Sequence, residues 1–366
     1  MNKKLIAIAV ASGLGFAANA ASAGEVAVGG HAHISVDYLS TDLASGDERS
    51  DANLAVSSNS SRLNFKGSED LGNGTQVGFF MEWQVGLDGN RASDLAPRNR
   101  YAFIKGSNWG EVRVGRHDTP MKIVGRKVDL FYSTQLGENR LIVAQNGFDQ
   151  RTDNTIAYIS PGERFNVLAA YVADHNLASP GSPPPDSEAR VDNNDFDAIS
   201  VALNLNFGGF YGAVAYEQHN ISDVGLAPGA SDSRSAVRLV GSYTGSGAPW
   251  KVTGFYQTTA DVGFTDGADQ DYYGVGFAWG KQTVFKAAYY VADEIDDTTD
   301  TGASNISAGI DYKATKRTMF YVTATLLDND DNQSYGITGG HDDRTYIPTE
   351  AGGDVTGVSF GIRHTF

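Results

Sequence analysis

Polar and apolar positions alternate with a period of two along most of this chain. Val77, Phe79, Met81, Trp83 and Val85 share one parity, with Gly78, Phe80, Glu82 and Gln84 on the other; Trp250, Val252 and Tyr256 alternate in the same way with Lys251, Thr253 and Gln257. A strand sends successive side chains to opposite faces, so these segments are expected to be strands with one greasy face and one wet face. The last segment repeats the pattern. Thr356, Val358, Phe360, Ile362, His364 and Phe366 oppose Val355, Gly357, Ser359, Gly361, Arg363 and Thr365. After residue 23 no window approaches 18 uninterrupted apolar residues, which excludes a helical membrane protein. The remaining way to cross a bilayer is a closed barrel, in which every backbone polar group pairs with a neighbouring strand.

The connections give the strand count. Short Gly- and Asn-rich stretches at residues 69–75, 106–111, 160–164, 206–210, 244–250, 279–283 and 313–317 read as tight turns. Between and around them lie longer polar connections near 40–58, 88–97, 117–150, 174–195, 219–234, 260–270, 293–304 and 328–354. Short and long alternate without a break and together join sixteen strands, an even number with both termini on the short-turn side. The expected fold is all-β: a sixteen-stranded transmembrane antiparallel β-barrel. Phe79, Trp83, Tyr101, Phe103, Tyr289, Tyr290, Phe320 and Tyr321 cluster near strand ends, as interfacial girdles would. A soluble β-sandwich or β-helix has no use for such girdles.

The amino terminus and the composition narrow the compartment. Residues 1–23 have Lys3 and Lys4 as a charged head, an apolar stretch, and Ala21, Ser22 and Ala23 as a small-residue cleavage site. They read as a secretory signal peptide, leaving 24–366 as the mature barrel. Cysteine is absent, so neither disulfides nor thiolate metal sites contribute. The formal charge of −16 becomes more negative when the two signal lysines leave, which argues against a nucleic-acid partner. An exported chain with these strands is expected in an outer membrane.

The third long connection stands apart. Residues 117–150 exceed what spanning geometry requires and carry Met121, Ile123, Val124, Val128, Leu130, Phe131, Tyr132, Leu136, Leu141, Ile142 and Val143. A solvated loop has no need of such side chains, and long loops are usually functional. The nearest surface for them is the inside of the wall, so this loop is expected to fold into the lumen and narrow it.

Several segments resemble the Gram-negative general porins. The run Arg98-Asn99-Arg100-Tyr101-Ala102-Phe103-Ile104-Lys105-Gly106, followed by Gly110-Glu111-Val112-Arg113-Val114-Gly115-Arg116-His117-Asp118-Thr119-Pro120, is similar to that family's fourth and fifth strands and the start of its constriction loop. Arg62-Leu63-Asn64-Phe65-Lys66-Gly67 resembles its second strand, and Phe366 its assembly signal. The resemblance implies a homotrimer in outer-membrane lipid and lipopolysaccharide. It also implies insertion by the barrel-assembly machinery through Phe366, and passive diffusion of small hydrophilic solutes and ions with no cofactor. In that family wall arginines face acidic loop residues across a narrow eyelet. Carried over, Arg62, Arg100 and Arg151 match the wall arginines. Alternation agrees if Leu63, Phe65, Tyr101, Phe103, Ile156 and Tyr158 face lipid. Arg113 and His31 also fall on inward parity, whereas Arg116 falls on the other and is expected to brace the loop root.

On the acidic side the candidates are Asp118, Asp129 and Glu138, yet the loop balances Asp118, Asp129, Glu138 and Asp149 with Lys122, Arg126, Lys127 and Arg140. The eyelet is therefore not expected to have a purely acidic face. Outside, residues 293–304 hold Asp293, Glu294, Asp296, Asp297 and Asp300 with no base, and 328–354 hold seven acids against Arg344. Such mouths concentrate cations and are candidates for weak Ca²⁺ or Mg²⁺ bridging to lipopolysaccharide. Between acidic mouths and wall arginines, the sequence tips the expected selectivity slightly toward cations.

Enzymatic motifs are missing. Gly357-Val358-Ser359-Phe360-Gly361 matches a nucleophile elbow by letter but has no helix to follow it. His31 and His33 share a face without a third ligand, so no metal site is expected, and Phe80 and Phe255 are the inward aromatics the alternation identifies. The alternatives are a channel selective for an organic acid or sugar, a barrel enzyme, or an adhesin with a plugged lumen.

Overall fold

A computed structural model describes residues 26–42, 53–89, 95–143, 147–173, 196–221, 229–245, 247–337 and 350–366. The expected signal peptide and its cleavage site lie outside the described residues. The strands are β1 (Ala27–Asp42), β2 (in two halves, Asn53–Ser58 and Arg62–Gly72), β3 (Thr75–Val85), β4 (Leu95–Gly106), β5 (Gly110–Asp118) and β6 (Arg151–Ile159). They continue as β7 (Phe165–Val172), β8 (Phe196–Phe207), β9 (Phe210–Ile221), β10 (Ser233–Thr244) and β11 (Trp250–Ala260). The circuit ends with β12 (Gln270–Gly280), β13 (Thr283–Ala292), β14 (Ala303–Lys313), β15 (Thr318–Asn329) and β16 (Asp354–Thr365). Each strand pairs antiparallel with the next, and β1 pairs with β16 from His31↔Thr365 to Asp42↔Asp354. No edge is left open, as a membrane barrel requires. The expected sixteen-stranded closed barrel is the observed fold, and its short turns fall inside the segments read as turns. Two of the long connections are shorter than expected, because β2 begins at Asn53 and β9 runs to Ile221.

Besides an irregularity at Asp70–Gly72 beside a short turn, three bulges among the described residues re-aim side chains. In β2 the pairing with β1 slips by one residue between Ile34↔Ser58 and His31↔Arg62, at Ser60 with φ 54°. Between Met81↔Arg100 and Trp83↔Pro97, Glu82 of β3 is opposed by both Arg98 and Asn99 of β4. Between Gly115↔Thr155 and His117↔Thr152, Arg116 is opposed by Asp153 and Asn154. Each adds one residue on one strand and shifts parity beyond it.

The outer surface carries an apolar band through Leu203, Val214, Leu239, Val252, Val275, Ile310 and Val322. Phe207, Phe210, Tyr243, Trp279, Phe285, Tyr312 and Phe320 flank it toward the short turns, and Tyr216, Tyr256, Tyr273 and Tyr289 flank it on the other side. These are two girdles. Four aromatics expected there face inward instead: Tyr101 beside His117, Phe103 opposite Arg113, and Tyr290 and Tyr321, both buried. Their parity places them on the lumen side.

Apolar packing inside the barrel belongs to the third long loop. Met121, Val124, Val128, Phe131, Leu136, Leu141, Ile142, Val143 and Phe148 form one buried cluster with wall residues such as Ala202, Ala236, Val240, Phe255 and Tyr290. Each fully buried side chain of this size stabilises by about 1.5–3 kcal/mol. The loop folds into the lumen for that reason. Two wall glycines make room for it: a Cβ on Gly276 would meet Leu130 at 2.9 Å, and one on Gly357 would meet Leu136 at 3.0 Å.

Candidate functional site

The loop leaves β5 at Asp118 and begins with helix α1 (Pro120–Arg126). Thr119 caps it by accepting from the Lys122 N–H at 3.3 Å, and proline occupies the first turn, where a missing N–H costs nothing. Helix α1 packs on the wall of β7–β10, and a short helix α2 (Arg140–Val143) on β13 and β14. The loop thus lines the far side of the lumen and leaves the passage against β1–β6.

Arg238 of β10 clamps it. Fully buried, Arg238 donates to the carbonyls of Met121 at 2.9 Å and Phe148 at 3.0 Å, and to Gln257 at 2.6 Å. Asp149 sits in the same knot, with Lys122 at 3.2 Å, Arg140 at 2.6 Å and Arg238 at 3.6 Å. Burial alone would raise its carboxyl; the three cations overcome that and hold Asp149 below its ordinary range. Neither Arg238 nor the hub role of Asp149 follows from sequence, since each depends on which strand meets the loop.

At the tip, Asp129 accepts from the backbone N–H groups of Phe131 at 2.8 Å and Asn139 at 3.0 Å. Glu138 is buried close by. Burial, and then Glu138, push the Asp129 carboxyl up to about 8, against the pull of the two N–H groups. These two acids are buried within the loop and organise it from inside. Asp118 is also buried, between Arg126 at 2.7 Å and Arg151 at 3.0 Å, and accepts from Asn99 at 2.8 Å.

The narrow passage lies between Arg126, Tyr132 and Ser133 of the loop and Arg62, Arg98 and Arg151 of the wall. Arg62 donates to the Tyr132 hydroxyl and to Ser133, both at 3.2 Å. Arg98 meets Glu82 at 2.9 Å and Gln84 at 2.9 Å, and Arg62 stands 4.0 Å from Glu82. The Arg126 guanidinium lies over the Tyr132 ring at 5.1 Å. Arg62, Arg98, Arg126 and Arg151 make their ion pairs here with Glu82 and Asp118. Positive charge is in excess there.

Arg100 does not take part. It is the ladder partner of Met81 and Arg116 and lines an outer groove with Trp83, Ala102 and Val114. The bulge opposite Glu82 is the cause, because it turns Arg98 and Asn99 inward and sends Arg100 out. Arg98, passed over in the alternation, holds the wall position. Arg116 pairs with Asp153 at 2.5 Å beside the loop root. Arg113 faces the lumen on the short-turn side, tied to Glu111 and His117 at 2.7 Å each. His31 is inward and buried, its ring 6.2 Å from that of His33, which meets the Tyr321 hydroxyl at 2.9 Å. Among the described residues no group of three or more His, Asp or Glu is placed to hold a metal ion.

A family model described as Gram-negative porin matches residues 6–332. The outer membrane porin protein 32 of Delftia acidovorans is 30% identical over 389 residues, spanning all of both chains. Among solved structures, the anion-selective porin from Comamonas acidovorans superposes with a TM-score of 0.75 at 26% identity, covering 94% of this chain and 100% of that one. The trimer form of OmpT from Vibrio cholerae shares the fold, with a TM-score of 0.65 at 17% identity over 94% of this chain and 100% of its own. With a closed barrel, a loop folded into its lumen and a passage lined by arginine, the chain belongs to the Gram-negative porin family, an outer-membrane channel for passive diffusion of small hydrophilic solutes and ions.

Proposed function

We propose that this porin prefers anions and works as a homotrimer. The observation that carries the preference is the excess of guanidinium over carboxylate at the passage, Arg62, Arg98, Arg126 and Arg151 against Glu82 and Asp118. Two unit charges about 4 Å apart interact by roughly 4 kcal/mol near a protein surface, against about 1 in bulk water. A small anion crossing here gains that attraction at the point where it sheds hydration, and a cation meets repulsion. Support comes also from the relative described as anion-selective. This reading replaces the slight tilt toward cations drawn from the acidic loops.

Single-channel recording tests it by ion substitution. Replacing chloride with a bulky carboxylate should lower conductance strongly, while replacing potassium with a bulky organic cation should change it little; the opposite order would refute the preference. Openings grouped in threes are expected of the trimer. Phe366, exposed beside the Gly30 backbone, serves in this reading as the signal to the assembly machinery, and its deletion should lower the yield of folded barrel.

A further inference from the structure

Aromatic rings point into the barrel from two walls, and the loop covers those of one. On the far wall Tyr211, Phe255 and Tyr290 lie buried in the apolar cluster that seats the third long loop. On the near wall Phe80 of β3 and Tyr101 and Phe103 of β4 also face the lumen, and each keeps part of its surface open. Both loop helices pack away from them, on β7–β10 and on β13 and β14. Rings wetted on one side stabilise less than buried ones, and the neighbouring lumen positions of β3 are polar: Gln76, Glu82 and Gln84. Packing therefore does not account for these three rings.

They are neighbours. Phe80 is the ladder partner of Tyr101, with ring centroids 5.6 Å apart. Phe103 follows on the same face, opposite Gly78, where a Cβ would meet its ring at 2.5 Å; the ring lies against the strand with a face toward the lumen. Basic groups surround the rings. Lys66 is the ladder partner of Phe80, and the Lys105 ammonium stands 5.8 Å over the Phe103 ring. Arg113, opposite Phe103, lies 4.7 Å over Tyr101, held there by Glu111 and His117. Glu82, two residues along β3 from Phe80, belongs to the passage, so the patch lies immediately on its short-turn side.

We infer that Phe80 and Phe103, with Arg113 and Lys105, form a station for aromatic carboxylates beside the passage. The flat ring of the solute stacks offset on the phenyl rings, and its carboxylate accepts hydrogen bonds from the bases. The inference rests on the anion preference proposed above, since such a solute comes past Arg62 and Arg126. An anion of the same size and charge without a flat ring gains the contact with the bases alone.

Chloride current through single channels, titrated with benzoate or with cyclohexanecarboxylate on both sides, tests this. Benzoate should interrupt the current at roughly ten-fold lower concentration than its saturated counterpart. F80L with F103L, which keeps apolar bulk and removes the rings, should bring the two anions to equal potency while the zero-current potential in potassium chloride stays that of the wild type. Equal potency in the wild type would overturn the inference, whether or not the double variant folds, and so would a benzoate advantage that survives the double substitution. If the potassium chloride potential has the cation-preferring sign while benzoate keeps its advantage, the anion preference falls and the station stands.

Discussion

The passage and the mouth of this barrel carry opposite charge. At the passage four arginines meet two carboxylates, whereas between β13 and β14 Asp293, Glu294, Asp296, Asp297 and Asp300 stand exposed with no base among them. The mouth acids are more numerous and explain much of the formal charge of −16. They act through water, where interactions fade over about 10 Å at 0.1 M salt. The arginines act where the lumen is narrow and walled by protein, and there the same charge counts for several times more. In the proposed reading, net charge describes how the molecule attracts ions from afar, and the passage decides which of them cross.

Reversing the passage should have the largest effect. R62E with R126E turns four bases and two acids into two bases and four acids, and the zero-current potential should change sign. Next comes the clamp. R238M leaves Asp149 without one of its cations and the Met121 and Phe148 carbonyls without a donor, and removing one partner of such a buried set costs about 3 kcal/mol or more. The loop should loosen, seen as noisier, larger conductance and a lower unfolding midpoint in urea.

A smaller effect is expected from pH. The Asp129 carboxyl titrates at about 8 in the packed loop, against 3.8 ordinarily, so the packed loop holds the proton more tightly than an open one. Stability of the tip should fall as pH rises toward 8 and level off above it. Current noise should rise across that range, and D129N should remove the rise. The least effect belongs to the mouth: neutralising Asp293, Asp296 and Asp297 should shift selectivity only in dilute salt and leave it unchanged at about 1 M.

Much of this architecture is legible in the chain. Alternation and turn chemistry give the strands, because a wall between lipid and water imposes a period of two on every segment. The apolar side chains of residues 117–150 disclose the inward loop for an equally local reason. What alternation does not disclose is a bulge. One extra residue opposite Glu82 exchanges the roles of Arg98 and Arg100 and turns Tyr101 and Phe103 into the lumen, and nothing in Arg98-Asn99-Arg100 marks which residue is extra. Glu82 and Arg238 escape for another reason: their importance comes from neighbours distant in the chain. The acids Asp129 and Glu138 were readable as loop residues, but their burial depends on how the tip folds on β12–β16.

The zero-current potential across a potassium chloride gradient tests the central claim most directly. If the arginines at the passage govern permeation, the potential will have the sign set by chloride crossing faster than potassium, and R62E with R126E will reverse it. A wild-type potential of the opposite sign, or one that the double substitution leaves unmoved, would contradict the account and return control of selectivity to the mouth.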